Sequence, residues 1–466
     1  MAGEEPIIPE DEAKRRPWRK GLIAGLLLLA CGLVVFTVSE VSGRSTIVSG
    51  LAGSISALFG PEKDDSLRLV AVYSKDVTES TFINGARMAI SEVNAHGGVL
   101  GREVKLELVP ESGFTEETAL ETTVAKTLKL SGKVADTKNL LGVIGHEWSD
   151  TAVTASSIYG RNDIVYVATH ATAQSLTNHG FQTVFALQPD NSSNAQMMAN
   201  YALRQGMKRF IVLSDKSDYG KECASFFSAA VTSNGADLVY RGYLSSGTKS
   251  MDQLLMFILD NSLFKRTDFD AFFVVSSSIP ETVEFIKRAR YLGLDGPILG
   301  MEYMFSASIE KDVGKKDMRG VTGVSLYDRD ALSERALKFV GDFRETYQHV
   351  PDLDAALGYD AVTLMRDATE RAGTLDPQKR SDTMKVARYK NPFVGVTGPI
   401  AFDRNGLITD TEIFIVRHDG EEFRTVGTYE IPASWDNVGS DDQPNATDDM
   451  NSPPDPSPPV QEKTGQ

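Results

Sequence analysis

The chain has 466 residues, too many for one ordinary core, so at least two globular units are expected. A formal net charge of -16, with no concentrated basic surface after residue 20, argues against nucleic-acid binding. The two cysteines, Cys31 in an apolar segment and Cys223 in KECAS, lie in different environments and argue against a structural disulfide.

Gly21 to Val38 is a run of 18 uncharged residues rich in Leu, Val and Ala, long enough to cross a bilayer as a helix. Lys14, Arg15, Arg16, Arg19 and Lys20 precede it and only Arg44 follows closely. The positive-inside rule then keeps residues 1–20 in the cytoplasm and sends the rest outward, a single-pass inner-membrane topology with a periplasmic or extracellular domain. Two alternatives stay open, a lipoprotein processed at Cys31 and a cleaved signal peptide ending among the small residues Ser39 to Gly43. Residues 39–66 read as a Gly/Ser-containing tether. At the other end, residues 431–466 form a tail loaded with Asp, Asn, Ser and Pro that is expected to be disordered.

Between these ends, Leu67 to Tyr73 is a continuous apolar run with one Arg, which suits a strand covered on both faces. Ala86, Ala89, Ile90 and Val93 recur at helical spacing, Gly97 and Gly98 end that helix, and Val104 to Val109 alternates like a second strand. Further apolar strands, each followed by polar residues, occur in VIGHEWSD, DIVYVATHATAQSLT, RFIVLSDKSDYGKE, AFFVVSSSIPETVEFIKRARYLG and GPILGMEYMF. In open parallel sheets ligands bind at such strand ends. The pattern predicts an α/β fold of two Rossmann-like lobes.

The order and wording of these segments, with TGPIAFDRNGLITDTEIFIVRHDG near the end, resemble the type I periplasmic binding proteins. The resemblance is in particular to the leucine/isoleucine/valine-binding family of substrate-binding proteins, over about Leu67 to Glu430. The resemblance implies lobe one from 67–188 and 327–396 and lobe two from 189–326 and 397–430. A three-strand hinge would cross near Gln188 to Asn191, Ser325 to Tyr327 and Val396 to Gly398. It also implies that Ser149 and Thr172 bind a ligand carboxylate, that the Ala171 carbonyl and the Thr172 hydroxyl approach its ammonium, and that Glu302 pairs with that ammonium. Tyr219 would close over the ligand from lobe two. Trp148 and His170 flank the carboxylate positions. His170 reads either as a ligand contact or as a surface histidine, and Ser277 stands where the family has an aromatic residue. Members often carry a disulfide with one cysteine at position 148 and its partner near Ser112 or Gly113; this chain has neither, so the loop is expected to be held by packing.

No HExxH or CxxC spacing, GxSxG elbow or Walker loop occurs, so neither enzyme activity, metal nor cofactor is expected. The resulting expectation is a membrane-tethered solute-binding protein that captures an amino acid or related small polar ligand and passes it to ABC-type permease subunits. The alternatives are a ligand-sensing receptor subunit that signals through a partner chain and a scaffold that has lost its ligand.

Overall fold

The computed structural model describes residues 64–74, 80–112, 120–244, 247–260, 268–305, 307–326 and 333–430. The expected anchor Gly21 to Val38, the tether up to residue 63, Tyr327 and the tail 431–466 lie outside them. Among the described residues no helix is long and apolar enough to cross a membrane.

The apolar run at the start of the folded region becomes β1 (Leu67–Ser74), buried along most of its length because it is the second strand of a five-stranded sheet. Helix α1 (Thr81–Ala95) follows, opened by Ser80, whose hydroxyl accepts the Ile83 N–H. It is closed by Gly97 and Gly98 at positive φ. At Gly98 a Cβ would lie 1.9 Å from the Arg102 carbonyl oxygen, so only glycine permits the turn into β2 (Val104–Glu111). Then come α2 (Leu120–Ala135), β3 (Leu140–Gly145), α3 (Ser149–Arg161), β4 (Tyr166–Ala168) and β5 (Val184–Ala186). The strands are all parallel in the order β2-β1-β3-β4-β5.

The chain then leaves the first sheet. α4 (Asn191–Arg204), β6 (Arg209–Ser214), α5 (Asp218–Ser233), β7 (Asp237–Tyr243), α6 (Thr248–Asp260), β8 (Ala271–Val275), α7 (Ile279–Tyr291), β9 (Ile298–Leu299), α8 (Ala307–Val313), α9 (Lys315–Met318) and β10 (Val321–Ser325) form the second lobe. α10 (Glu334–Tyr347), α11 (Leu353–Ala372) and α12 (Pro377–Lys390) return to the first. Gly85 and Gly358 allow α1 and α11 to touch. A Cβ would lie 2.0 Å from the Ala355 oxygen at Gly85 and 2.1 Å from the Phe82 oxygen at Gly358.

Three short strands follow, β11 (Phe393–Val394), β12 (Pro399–Phe402) and β13 (Ile408–Thr409), before β14 (Glu412–His418) and β15 (Phe423–Glu430) add an antiparallel edge to the second sheet. Its order is β15-β14-β10-β9-β8-β6-β7. This pairing corrects the expected third crossing at Val396 to Gly398. The N–H groups of Val396 and Thr397 and the Thr397 hydroxyl donate to Asp360 of α11, which pins that segment to the first lobe. Asp403 then folds the chain back by accepting from the N–H groups of Asn405 and Leu407. The Ala186 N–H donates to the Gly406 oxygen at 2.8 Å, and Phe402 packs edge-on to Phe185. Residues 399–409 therefore flank β5, and the crossing falls between Thr409 and Glu412. The cause is side-chain bonding by Asp360 and Asp403, which no periodicity records.

Candidate functional site

The first wall begins where β3 ends. Gly145, with φ of 105°, lies so close to β1 that a Cβ would be 2.0 Å from the Val72 oxygen. The chain there turns sharply into His146, Glu147 and Trp148, and α3 starts at Ser149. The loop was expected to be held by packing in place of a disulfide; it is held by buried polar bonds. Glu111 at the end of β2 accepts from His146 Nδ1 at 2.6 Å and from the Glu147 N–H at 2.8 Å. His146 Nε2 lies 3.1 Å from the Tyr159 hydroxyl.

Ser149 is the first residue of α3, where free N–H groups and the helix dipole favour an anion. Its Oγ accepts the Thr172 N–H at 3.4 Å, which ties α3 to the loop after β4. Thr172 is 2% exposed and its hydroxyl has no partner. Ala171 beside it is buried. The Thr172 carbonyl accepts the Asn191 N–H at 2.7 Å, and Gln188 Nε2 donates to the Thr169 carbonyl at 2.9 Å. This loop is therefore stitched directly to the first crossing between lobes. His170 is not a surface histidine. It is 8% exposed, tilted against Tyr73 and edge-on to Phe82, with Nδ1 at 2.8 Å from the Thr169 hydroxyl and Nε2 at 3.3 Å from Asp354 Oδ1.

The second wall comes from the other sheet. Ser217 caps α5 and sets Tyr219 in its first turn, 5% exposed, with its hydroxyl unpartnered. Tyr219 meets Tyr303 edge-on at 5.8 Å between ring centroids. Glu302 opens a short 3-10 turn just after β9, and both of its carboxylate oxygens are shielded from solvent without a hydrogen-bond partner. Burial pushes this carboxyl up to about 7, although the Tyr219 and Thr172 hydroxyls stand nearby. Ser277 is committed elsewhere, since its N–H and its hydroxyl each donate to Asp215 Oδ2 at 2.6 Å. Cys223 is fully buried, and burial pushes its thiol up, the opposite of what a reactive cysteine needs.

Trp148, Ser149, His170, Thr172, Tyr219, Ser277 and Glu302 line one cavity, and Ala171, which is buried, is not among its lining residues. Glu147, Asp150 and Tyr303 line it as well, and sequence reasoning missed all three. Two of them sit in GHEWSD, where acids directly after an apolar strand were the available signal. Burial pushes Glu147 up to about 7, with Asp354 and Glu111 adding to the rise and His170 opposing it. Asp150 rises to about 6 through burial and through the facing carboxylates of Asp218 and Asp215. The free space among these side chains is about 10 Å3, room for roughly one water.

A family model described as periplasmic binding protein matches residues 73–422. The chain belongs to that family. Among its relatives, the leucine-, isoleucine-, valine-, threonine- and alanine-binding protein of Pseudomonas aeruginosa is 24% identical over 349 residues, covering 73% of this chain and 86% of that protein. The Leu/Ile/Val-binding protein of Escherichia coli K12 is 24% identical over 374 residues, 76% of this chain and 92% of its own length. Among solved structures, a leucine-binding protein from Thermotoga maritima overlays with a TM-score of 0.67 at 23% identity, covering 78% of this chain and 99% of the other. A solute-binding protein from R. palustris in complex with benzoate gives 0.66 at 18% identity, covering 78% and 96%. This periplasmic binding protein thus shares the type I fold of the leucine/isoleucine/valine-binding group, whose members are substrate-binding transport proteins.

Proposed function

We propose that this periplasmic binding protein captures an amino acid or related small polar ligand between its two lobes and delivers it to ABC-type permease subunits, held at the membrane by Gly21 to Val38. The observation that carries this reading is a pair of opposed walls. The N-terminus of α3 at Ser149 and the buried Thr172 hydroxyl suit a carboxylate, and the shielded Glu302 carboxylate on the same cavity, met only by the Tyr219 and Thr172 hydroxyls, suits an ammonium. The relatives' names point the same way, since two of them bind leucine, isoleucine and valine. One solved neighbour holds benzoate, so the fold also accepts a ligand without an ammonium.

Closure about the crossings is the proposed mechanism. The space of about 10 Å3 admits no amino acid, so the lobes must part for entry. The bonds from Thr172 to Asn191 and from Gln188 to Thr169 link the ligand loop to the first crossing, so seating a carboxylate there would bear on the hinge.

The same small space favours a second reading, a scaffold that has lost its ligand. Against it stands the shielded Glu302 carboxylate, which burial pushes up to about 7 despite the Tyr219 and Thr172 hydroxyls beside it, because a cleft closed for good would keep that cost without recompense. A thermal-shift screen of the detergent-solubilised full chain against amino acids, amides and small organic acids decides between them. Stabilisation by at least one compound, abolished in Glu302→Ala, supports the binding protein; a flat screen supports the scaffold. Protease added to intact spheroplasts tests the topology, and removal of the binding domain without lysis is the expected result.

A further inference from the structure

The cleft holds more negative charge than an α-amino acid can use. Three of its lining residues are carboxylates, Glu147, Asp150 and Glu302. A zwitterionic amino acid offers one ammonium, and in the reading above that group belongs to Glu302. Glu147 and Asp150 are then left over, and each has a carboxylate oxygen shielded from solvent without a hydrogen-bond partner. The basic side chains nearest these acids among the described residues are shared with other acids: His170 Nε2 lies 3.3 Å from Asp354, and Lys221, which partly opposes the rise at Asp150, lies 3.8 Å from Asp218. Asp150 at the start of α3 faces Asp218 at the start of α5, so closing the lobes brings like charges together; Lys221 offsets this only in part, and a cation entering with the ligand would relieve it.

Two further observations point to a ligand here and to its chemistry. The hydroxyls of Thr172 and Tyr219, 2% and 5% exposed, line the same cavity with no partner in full hydrogen-bonding geometry, the nearest acceptor being Glu302. Trp148, Tyr219 and Tyr303 supply aromatic rings to its wall, and ring faces attract ammonium and guanidinium groups. Leucine or valine would instead place a hydrocarbon side chain against Glu147 and Asp150 and leave both charges desolvated, which is unfavourable.

We propose that the ligand is a compact amino acid with a second cationic group on its side chain. Its α-carboxylate sits on Ser149 and Thr172, its α-ammonium on Glu302, and its side-chain cation against Glu147 or Asp150 and the neighbouring rings. This assignment rests on the solute-binding reading and narrows it.

The test is calorimetric titration of the full chain in detergent with matched pairs, ornithine against norvaline and lysine against norleucine, and with putrescine and cadaverine as their carboxylate-free counterparts. At least one basic amino acid is expected to bind roughly tenfold or more tightly than its neutral partner. The diamines are expected to bind more weakly, for want of the carboxylate. Glu147→Gln and Asp150→Asn, which keep shape and remove charge, are expected to reduce that preference, and in at least one of them the basic ligand weakens while any neutral ligand does not. Equal or tighter binding of norvaline, norleucine or leucine overturns the inference and leaves the solute-binding reading standing. Tighter binding of the diamines overturns the carboxylate half of the assignment. Failure of all six compounds overturns the inference, and only a flat response to the wider screen as well brings down the function beneath it.

Discussion

Glu111 and Glu302 are both shielded glutamates close to the cleft, and their surroundings are opposite. Glu111 is 5% exposed and fully engaged, with one oxygen on His146 and the other on the Glu147 N–H. Glu302 has two shielded oxygens that no group meets in full hydrogen-bonding geometry, with the Tyr219 and Thr172 hydroxyls nearest. A buried carboxylate persists only where donors compensate its lost hydration. The chain supplies them to Glu111, which thereby holds the loop before Ser149. At Glu302 the chain offers only the nearby Tyr219 and Thr172 hydroxyls, which do not offset its burial, and, among the described residues, no cation paired with it, which a ligand ammonium would supply. Asp360 falls with Glu111, satisfied by Val396 and Thr397, while Glu147 and Asp150 stand between, each with one shielded oxygen unpartnered.

That division can be broken most sharply at Glu111. Glu111→Ala leaves His146 and the Glu147 N–H buried without their acceptor, and removing one member of a buried pair costs about 3 to 5 kcal/mol. Denaturant unfolding should show a loss of this order; a change under about 1 kcal/mol would mean that the loop is held by packing after all.

Glu302→Ala should do the reverse, with ligand affinity falling by about 2 to 5 kcal/mol, roughly 30-fold or more. The stability of the ligand-free protein should stay level or rise, because the substitution removes an unsatisfied charge. Near-native affinity would place Glu302 outside the binding machinery.

The pH dependence sharpens the contrast. Burial raises Glu302 and Glu147 to about 7 from 4.5, and Asp150 and Asp352 to about 6 from 3.8. The folded ligand-free chain therefore binds more protons than the unfolded chain in this window, and these groups lower its stability as the pH rises from about 4 to about 7. His179 and His418, whose pKa values burial lowers from 6.5, act in the opposite sense as the pH falls, so the wild-type curve mixes both. Comparison with Glu302→Gln isolates the carboxylate: the variant's melting temperature should depend less steeply on pH. Parallel curves would show that Glu302 is not titrating in that window.

The smallest effects are expected from the serines. Ser149→Ala should weaken ligand binding by about 0.5 to 1.5 kcal/mol, or up to about 3 if the lost bond is charge-assisted. Ser277→Ala should act on stability more than on affinity, because its hydroxyl is already bonded to Asp215. A larger affinity loss in Ser277→Ala than in Ser149→Ala would reverse the roles given to the two walls.

By itself the sequence determined the layered α/β architecture. Apolar runs such as Leu67 to Tyr73, helices closed by Gly97 and Gly98, and polar residues after each strand follow from local periodicity and from glycine's freedom at positive φ. It also pointed to strand ends where Ser149, Thr172, Tyr219 and Glu302 now line one cavity. Three things were decided only by tertiary structure. The third crossing moved to the stretch between Thr409 and Glu412 because Asp360 and Asp403 bind backbone N–H groups that no pattern links to them. The loop before Ser149 rests on Glu111 and His146, residues 35 apart in the chain. The surplus acidity of the cleft emerged only when Glu147 and Asp150 were seen to share a cavity with Glu302, since a carboxylate in a sequence is solvated by default and its burial is a property of the packed chain.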